Sequence, residues 1–218
     1  MNIQIDAYKH FSFDLWLTLI KSNPQFKINR NRLLRDFFSI DSSIEKIGET
    51  VRYYDLLANR ISESTGIHFD ANHIYYLILD QFKISFNQSD KQLQEFQKEV
   101  DTLFFKYKPI LIDGHIKDLF KKISNQNKTI SLLSNTAFIT GESLRKILMD
   151  YELSDYFMFQ LYSDEIGISK PNHSVFDMVF NKVNDHLRIT KSEVVHIGDN
   201  KFADYLGAKN YGFQAILI

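Results

Sequence analysis

The chain has 218 residues, which is enough for one large domain or for a domain that carries a sizeable insert. Its formal net charge of -1 excludes a strong overall electrostatic attraction to nucleic acid or to an anionic membrane surface. The sequence contains no cysteine, so disulfide bonds and thiolate metal sites are excluded. No stretch approaches the roughly 20 apolar residues that span a bilayer, and the N-terminal residues lack the pattern of a signal peptide. We therefore expect a cytoplasmic protein.

The first predicted element is a short buried strand over residues 10–15, where an apolar run carries an aspartate near its end. Residues 26–107 then show helical periodicity, with apolar residues at steps of three and four and with Gly66 and Pro109 as punctuation. The four helical stripes are Leu33, Leu34, Phe37 and Phe38; Ile44, Ile47, Val51, Tyr54, Ala58 and Ile61; Ile74, Ile78 and Phe82; and Leu93, Phe96, Val100, Leu103, Phe104 and Tyr107. We expect a helical bundle whose seams are filled by the abundant aromatic residues, 19 Phe and 11 Tyr.

After Pro109 the pattern alternates between strands and helices. The predicted strands are residues 129–133, 157–161, 194–197 and 213–218, and the predicted helices carry apolar stripes over residues 116–123, 144–148 and 175–183. Strands that alternate with helices predict an α/β fold with a doubly wound parallel sheet of the Rossmann-like type. The first strand must join this sheet, because a lone strand cannot bury its own faces. The predicted organisation is an α/β core domain of residues 1–20 and 108–218, with an all-helical cap domain of residues 21–107.

Polar residues sit where the predicted strands end. Asp14 lies near the end of the first strand, Ser134 and Asn135 follow the second, and Asp199 follows the strand of residues 194–197. In open α/β sheets, ligands bind beyond the carboxyl ends of the strands. We therefore expect these four side chains to converge on one site.

Asp14 and Asp199 each admit two interpretations. Held at a strand end, Asp14 can act as a nucleophile or a metal ligand, and it can equally cap the following turn. Asp199 precedes Asp204 by five residues, and carboxylates so arranged suit a hard cation such as Mg²⁺. The alternative for that pair is an ordinary turn aspartate and an acid near a helix start.

Two further stretches carry groups that suit an anion. Ser134, Asn135 and Thr136 offer hydroxyl, amide and backbone donors, or they simply lead into a helix. Lys170 precedes Pro171 and a predicted helix. Its ammonium can supply positive charge to a phosphoryl or carboxylate group, or it can be solvated like most lysines.

The order and spacing of these elements resemble the haloacid dehalogenase (HAD) superfamily of hydrolases. The resemblance is carried by residues 13–19 (FDLWLTL), 132–135 (LLSN), 170–172 (KPN) and 197–208 (IGDNKFADYLGA). The helical insert after the first strand is similar to the helical cap type of that superfamily. The motifs are loose individually, but as an ordered set they are fairly specific and cover essentially the whole chain.

The resemblance implies a covalent mechanism in which Asp14 attacks the substrate and forms an aspartyl intermediate. It also implies a Mg²⁺ site formed by Asp14, the backbone carbonyl of Trp16 and Asp199. Asp204 would assist directly or through water. A cation here would offset the repulsion between an anionic nucleophile and an anionic phosphoryl group.

The same resemblance assigns supporting roles to other residues. Thr18 would support the loop that carries the nucleophile. Ser134 would hydrogen-bond to the transferring group, with Asn135 beside it in the substrate-binding set. Lys170 would neutralise charge around the nucleophile and the substrate.

The sequence departs from the superfamily pattern at Trp16 and Leu17. Most phosphatases of the superfamily place an aspartate two residues after the nucleophile, where it protonates the leaving group and then activates water, and an indole cannot do this. Leu17 stands where a flexible glycine is usual. A replacement acid would have to come from the cap, where the conceivable residues are Arg30, Tyr53, Tyr54, His68 and His73.

These features leave three hypotheses. The first is a Mg²⁺-dependent phosphatase of a small phosphorylated metabolite, based on Asp14, Asp199 and Lys170. The second is a metal-free 2-haloacid dehalogenase, because those enzymes carry an aromatic residue at the position of Trp16. The third is a catalytically weak binding or regulatory protein, because the usual acid–base aspartate is missing. We expect a small-molecule substrate, and neither nucleic acid nor a membrane as a partner.

Overall fold

The computed structural model describes residues 3–84 and 90–218. Its strands are β1 (His10–Phe13), β2 (Ile20–Lys21), β3 (Ile110–Leu111), β4 (Thr129–Ser134), β5 (Phe157–Tyr162), β6 (Val194–Gly198) and β7 (Gln214–Leu217). Five of these strands form one parallel sheet in the order β5-β4-β1-β6-β7, and β2 pairs with β3 in the antiparallel sense. The predicted α/β fold with a parallel sheet is confirmed.

Helices connect the strands and fill most of the segment between β2 and β3. The α-helices are α1 (Pro24–Phe37), α2 (Ile44–Thr65), α3 (Ala71–Gln81), α4 (Asp90–Lys106), α5 (Ile116–Ser124), α6 (Gly141–Asp150), α7 (Ser163–Ile166), α8 (His173–Leu187) and α9 (Gly207–Tyr211). Short 3₁₀ helices cover Ile5–Ala7, Ser154–Tyr156 and Lys191–Glu193, and a π-helix covers Lys201–Leu206. Within the two described ranges, no helix combines the length and the apolarity needed to cross a membrane.

The strand β1 occupies the centre of the sheet. All of its residues are buried, as expected for a strand in a parallel sheet whose two faces are covered. Phe13 pairs with Leu132 of β4 on one side and with Ile197 of β6 on the other. This register brings the carboxyl ends of the three strands to the same edge of the sheet. That edge carries Asp14 and other predicted site residues.

The β2–β3 pair joins the two points where the chain passes between the sheet and the helices α1–α4. Ile20 pairs with Leu111, and the Ile112 N–H donates to the Leu19 carbonyl oxygen at 2.9 Å. The sequence pattern predicts neither strand, because two residues leave no measurable periodicity. The division into a core and a helical cap stays a prediction, and residues 85–89 of the predicted bundle lie outside the described residues.

Helix boundaries follow from capping groups more than from the apolar stripes. The Asn23 side chain accepts a hydrogen bond from the Gln25 N–H at 2.9 Å, and Pro24 occupies the first position of α1. The apolar stripe begins only at Leu33, so α1 extends well before the predicted helix. The helix α2 ends at Gly66, whose left-handed φ of 69° agrees with the predicted break.

Aromatic rings fill the seams between helices, as predicted. Phe96 of α4 is fully buried, and its ring centroid lies 5.1 Å from that of Phe38 and 5.1 Å from that of Tyr75. Phe37 adds a third contact to Phe96 at 5.5 Å. Each fully buried aromatic side chain of this kind contributes roughly 1.5–3 kcal/mol to stability. The cluster therefore packs α4 against the C-terminal end of α1 and against α3.

His10 offers a test of the buried sheet through the pH dependence of stability. Its ring is fully buried, with Nδ1 2.7 Å from Thr129 Oγ1 and Nε2 2.8 Å from Ser131 Oγ. Burial lowers the pKa of His10 to about 3. The folded protein therefore keeps this imidazole neutral, while the unfolded chain takes up a proton below about pH 6.5. Through this residue, the free energy of unfolding should fall by about 2 kcal/mol between pH 7.5 and pH 5.

Urea unfolding of the wild type and of His10→Gln at both pH values measures this effect. Glutamine can hydrogen-bond but does not titrate, so the variant should lose about 2 kcal/mol less than the wild type over this interval. Some pH dependence should remain, because burial lowers the pKa of His196 as well. An equal fall in both proteins would contradict the expectation and would mean that the fold tolerates a charged His10.

Candidate active site

Asp14 follows β1 and places its carboxylate in a buried cluster. Its N–H donates to the Ile197 carbonyl oxygen at 2.9 Å, which continues the contact between β1 and β6. The Thr18 hydroxyl donates to Asp14 Oδ2 at 2.9 Å. Only 6% of the Asp14 surface is exposed. The turn after the strand therefore holds one oxygen of this carboxylate, in line with the supporting role expected of Thr18.

Lys170 reaches the same cluster from the loop before α8. Its ammonium nitrogen lies 2.7 Å from Asp14 Oδ1, 2.6 Å from Asp204 Oδ1 and 2.7 Å from the Leu133 carbonyl oxygen. These three acceptors match the three N–H donors of an ammonium group. The side chain is 1% exposed, so removal of an acceptor would leave a buried charge incompletely satisfied.

Asn135 holds the backbone of Lys170 from both sides. Its Oδ1 accepts from the Lys170 N–H at 2.8 Å, and its Nδ2 donates to the Lys170 carbonyl oxygen at 3.0 Å. The amide thus positions the lysine, while contact of Asn135 with substrate stays a prediction. In the same loop, the Ser169 N–H donates to the Gly66 carbonyl oxygen at 3.0 Å, which ties the end of α2 to the segment that carries the lysine.

Asp204 lies in the π-helix after β6, and both of its oxygens accept from protein donors. Oδ1 contacts Lys170 and lies 3.2 Å from His196 Nε2, and Oδ2 accepts from the Asn200 N–H at 3.0 Å. This approach requires glycine at residue 198, because a β-carbon on Gly198 would lie 2.2 Å from Asp204 Oδ2. Asp204 is expected to assist a cation either directly or through a water molecule. Because both of its oxygens already accept hydrogen bonds, the water-mediated role suits it better.

Asp14, Asp199 and Asp204 offer carboxylate oxygens that lie within 4.8 Å of one another. Asp199 is partly buried, and the other two are buried. Mg²⁺ prefers hard oxygen ligands and retains waters, so the donor set fits the predicted cation. Lys170 supplies one positive charge among three carboxyl groups, and when all three are ionised a divalent cation would balance the remaining two negative charges. Coordination by the Trp16 carbonyl stays a prediction.

Burial and local charges set the pKa values in this cluster. Burial raises the pKa of Asp14 to about 7, with Lys170 opposing the rise and Asp204 adding to it. At Asp204 burial also acts upward, but Lys170 and His196 outweigh it and hold the pKa below the usual range. At Lys170 burial acts downward, and the two carboxylates outweigh it and raise the pKa. Lys170 and Asp204 are thus a firmly ionised pair, whereas the ionisation of Asp14 depends on its surroundings.

Ser134 ends β4 and is fully buried. Its hydroxyl donates to the Asn135 carbonyl oxygen at 3.2 Å. Thr136, the third member of the predicted donor group, has a structural partner, because its hydroxyl donates to Asp164 Oδ1 at 2.8 Å. Ser134 therefore remains the candidate for contact with an anion, and Thr136 holds the loop that follows.

A cavity of about 310 Å³ is lined by residues that neighbour Asp14 and Ser134 in the chain. Trp16, Leu17 and Asn135 line one side of it, and residues of α1 and α2 line another. Leu17 has a left-handed φ of 58° and is 60% exposed. Such a φ disfavours side chains with a β-carbon, which is the physical reason that glycine suits this position.

Of the five residues considered as a replacement acid, Arg30 lines the cavity. The other four contact residues that are not in its lining: Tyr53 with Tyr54, Tyr54 also with Gln81, His68 with Ser163, and His73 with Phe69. Arginine stays protonated in proteins and cannot act as a general acid near neutral pH. None of the five residues therefore both lines the cavity and carries a group that can act as a general acid.

Three residues extend the site beyond those predicted from the sequence. Ser12 Oγ lies 2.9 Å from His196 Nδ1, so a buried chain of contacts runs from β1 through β6 to Asp204. Glu63 Oε1 accepts from Asn200 Nδ2 at 2.7 Å, which links α2 to the loop after β6. His196 is a polar residue within an apolar strand, and that signal was available in the sequence. Glu63 leaves no such signal, because its partner is 137 residues away.

Over residues 13–218 the chain matches the family described as haloacid dehalogenase-like hydrolase. An uncharacterized hydrolase of Schizosaccharomyces pombe is 27% identical over 124 residues, which are 56% of this chain and 53% of that protein. Glyceraldehyde 3-phosphate phosphatase of Pyrococcus furiosus is 23% identical over 193 residues, which are 83% of this chain and 78% of that enzyme. The match thus spans about half the length of the yeast relative.

Solved structures share the fold at low sequence identity. The HAD-hydrolase YfnB from Bacillus subtilis, solved bound to magnesium, aligns with a TM-score of 0.72 and 18% identity over 97% of this chain and 88% of that chain. A 2-haloacid dehalogenase from Pseudomonas syringae aligns with a TM-score of 0.64 and 19% identity over 96% of this chain and 86% of that chain. The likeness establishes the fold alone.

Removal of the Lys170 ammonium should destabilise the protein far more than removal of an exposed lysine charge. Lys170→Met leaves Asp14 and Asp204 as buried carboxylates without their cation, which should lower the free energy of unfolding by about 3–5 kcal/mol. Lys146→Met is the matched control, because Lys146 forms an exposed ion pair with Glu142, and it should have little effect. Urea unfolding in EDTA at neutral pH measures both variants.

Addition of Asp14→Asn to Lys170→Met removes one of the two stranded carboxylates. The double variant should therefore be more stable than Lys170→Met alone. This non-additivity tests the contact between the ammonium and Asp14 Oδ1. If the stability lost in the double variant equals the sum of the losses in Asp14→Asn and Lys170→Met, the contact is contradicted.

Proposed function

Because the chain belongs to the family of haloacid dehalogenase-like hydrolases, we propose that it is a Mg²⁺-dependent phosphohydrolase of a small phosphorylated metabolite. The observation that carries the proposal is the ammonium of Lys170 held between Asp14 and Asp204, with Asp199 beside them. The cluster combines a carboxylate nucleophile, a fixed positive charge and an acidic cation site. The phosphatase activity named for the Pyrococcus furiosus relative supports this class of reaction.

Asp14 is the proposed nucleophile. In the first step its carboxylate attacks the phosphorus atom, the ester P–O bond breaks, and the leaving oxygen departs with the bonding electrons as an alkoxide or phenolate, which gives an aspartyl phosphate. In the second step water attacks phosphorus, the aspartyl P–O bond breaks, and the carboxylate is released together with inorganic phosphate, which keeps one proton of the water while the other passes to solvent. Thr18 holds one oxygen of Asp14 at 2.9 Å and limits rotation of the nucleophile. Ser134 would donate a hydrogen bond to the phosphoryl group in exchange for its bond to the Asn135 carbonyl oxygen.

Positive charge is required because the nucleophile and the phosphoryl group are both anionic. Lys170 supplies one charge from a fixed position 2.7 Å from Asp14. Asp14 and Asp199 would hold Mg²⁺, which supplies Lewis-acid stabilisation of the phosphoryl oxygens when bound. The Trp16 carbonyl is the further proposed ligand, and Asp204 would assist through water.

Trp16 decides which leaving groups suit this site. It stands where an acid would protonate the departing oxygen, and an indole N–H is not acidic enough to do so. Its ring lies 6.5 Å from the Phe104 ring and lines the cavity. Phosphate esters of acidic hydroxyl groups depart without protonation, so they should be the better substrates.

Hydrolysis of p-nitrophenyl phosphate should require both Asp14 and Mg²⁺. Asp14→Asn should lower kcat/KM by at least roughly 10³-fold, because an amide is a poor nucleophile. EDTA should abolish the activity until Mg²⁺ is restored. Asp199→Asn should raise the Mg²⁺ concentration needed for half-maximal rate, because it removes a charged ligand. Release of p-nitrophenolate measures each rate.

Asp185→Asn is the matched control for these variants, because Asp185 is an exposed carboxylate on α8, and it should keep wild-type kinetics. Thermal unfolding of each variant separates a loss of chemistry from a loss of fold. Activity that survives in EDTA, or in Asp14→Asn, would contradict the proposal.

The rate should also depend steeply on the leaving group. Without general acid catalysis, p-nitrophenyl phosphate should be hydrolysed more efficiently than ethyl phosphate by a margin that reflects the missing factor of roughly 10²–10⁴. Trp16→Asp places a carboxyl group at this position and should narrow the margin. Trp16→Asn creates the same space without an acidic proton and should not. A wild type that hydrolyses both esters equally well would mean that another residue protonates the leaving oxygen.

A metal-free 2-haloacid dehalogenase is the second candidate, and the aromatic Trp16 is the observation that favours it. Against it, such a centre would leave Asp14, Asp199 and Asp204 around one ammonium with no further cation. Halide release from 2-chloropropionate in EDTA would establish this reaction in place of the first. Binding of Mg²⁺ and a phosphoryl mimic by calorimetry, without turnover of either substrate, would establish a binding protein.

A further inference from the structure

The cavity that Trp16 lines contains a cation that forms no ion pair within the described residues. Arg30 of α1 lines this cavity, and among residues 3–84 and 90–218 no carboxylate lies within ion-pair distance of its guanidinium, although the Asp55 carboxylate acts on it electrostatically. Its Nε is buried and donates to no acceptor in the described part of the chain. Its Nη2 donates to Asn31 Oδ1 at 3.2 Å. Most of the donors that this guanidinium carries are therefore available to a ligand.

Two aromatic rings hold the guanidinium in place. Arg30 Cζ lies 5.0 Å from the centroid of the Phe138 ring and 5.8 Å from that of the Phe26 ring. Rings at these distances stabilise a cation through their faces and leave its in-plane N–H donors free. Both phenylalanines also line the cavity. The side chain is thus fixed before a ligand arrives.

Packing alone does not account for an arginine at this place. A partly buried charge without an ion pair opposes folding, and an apolar side chain would fill the same volume at lower cost. Within the described residues, the buried Nε of Arg30 has no acceptor. A donor left unsatisfied on a side chain that lines a cavity is consistent with an acceptor supplied by a ligand.

We propose that Arg30 binds a carboxylate group of the substrate, so that the substrate is a small phosphomonoester that also carries a carboxylate. The inference rests on the proposed phosphohydrolase function, because Trp16 and Asn135 of the cavity lining lie two residues and one residue along the chain from Asp14 and Ser134, where the phosphoryl group would lie. A cavity of about 310 Å³ suits a small metabolite. A carboxylate matches the guanidinium fork with two parallel hydrogen bonds.

The other charges in the lining favour a carboxylate over a second phosphate. Asp55 accepts from Arg52 Nη1 at 3.0 Å, so these two charges offset each other. Lys27 is exposed to solvent, where its charge is screened. A dianionic phosphate would carry two negative charges, of which Arg30 would balance one. A carboxylate carries one negative charge, which the single charge of Arg30 would balance.

Two pairs of probes test this proposal. 3-Phosphoglycerate and glycerol 3-phosphate differ by a carboxylate in place of a hydroxymethyl group, and 2-phosphoglycolate and 2-hydroxyethyl phosphate form a shorter pair of the same kind. Calorimetric titration with Mg²⁺, in an Asp14→Asn background that prevents turnover, gives the affinity ratio for each pair. Competitive inhibition of p-nitrophenyl phosphate hydrolysis gives the same ratio for the wild type. The carboxylate probe should bind roughly ten- to a hundredfold more tightly.

Variants of Arg30 test whether this residue causes the preference for the carboxylate probe. Arg30→Met should bring the ratio close to one, and Arg30→Lys should keep a reduced preference, because lysine retains the charge but not the fork. Arg32→Met is the matched control, because Arg32 is exposed on the same helix, and it should keep the wild-type ratio. If Arg30→Met fails to fold, the wild-type ratio and the Arg30→Lys ratio still decide.

The outcomes separate this inference from the proposed function. Equal affinities for the two members of each pair would overturn the role of Arg30, even if aryl phosphate is hydrolysed. An equal preference in the wild type, Arg30→Met and Arg30→Lys would overturn it as well. A preference that depends on Arg30, in a protein that hydrolyses no phosphate ester, would support the carboxylate site and overturn the phosphohydrolase.

Discussion

The buried ammonium of Lys170 is the contact on which the arrangement of the site depends. It draws together Asp14 after β1, the Leu133 carbonyl in β4 and Asp204 after β6. A buried ammonium is stable only when its donors are satisfied, so these strands must lie side by side with their carboxyl ends level. The central place of β1, between β4 and β6, meets that requirement. The order of the strands in the sheet is therefore what allows the three acceptors to meet at one ammonium group.

The loops of the site are positioned by residues that need not touch a substrate. Asn135 fixes the backbone of Lys170, and Gly198 leaves the space that Asp204 enters. The helix α2 contacts both loops, through Gly66 on the lysine side and through Glu63 on the side of Asp199. The same helix supplies part of the cavity wall. A shift of α2 would thus change the cavity and the charge cluster together.

Much of this architecture can be predicted from the periodicity of apolar residues and from the polar residues at strand ends. Alternation of strands and helices is enough to predict the parallel sheet, and the rule about strand ends places Asp14, Ser134 and Asp199 at one edge. What the pattern does not contain is the pairing between distant residues. The amide of Asn135 contacts the backbone of Lys170, 35 residues away, and no local signal distinguishes that role from contact with a substrate. The strands β2 and β3 are not predicted either, because two residues leave no measurable periodicity and the two strands lie far apart in the chain.

In the proposed function, Trp16 and Arg30 would constrain the substrate in complementary ways. An indole cannot protonate a leaving oxygen, so esters that release an already acidic hydroxyl group would be favoured. The proposed role of Arg30 calls for a planar anion in the cavity that Trp16, Phe26 and Phe138 also line. A phosphate ester of a phenol or an enol that also bears a carboxylate meets both requirements, whereas a simple alkyl phosphate meets neither. The residue that departs from the usual phosphatase pattern therefore narrows the substrate class, because it removes the help that poorer leaving groups need.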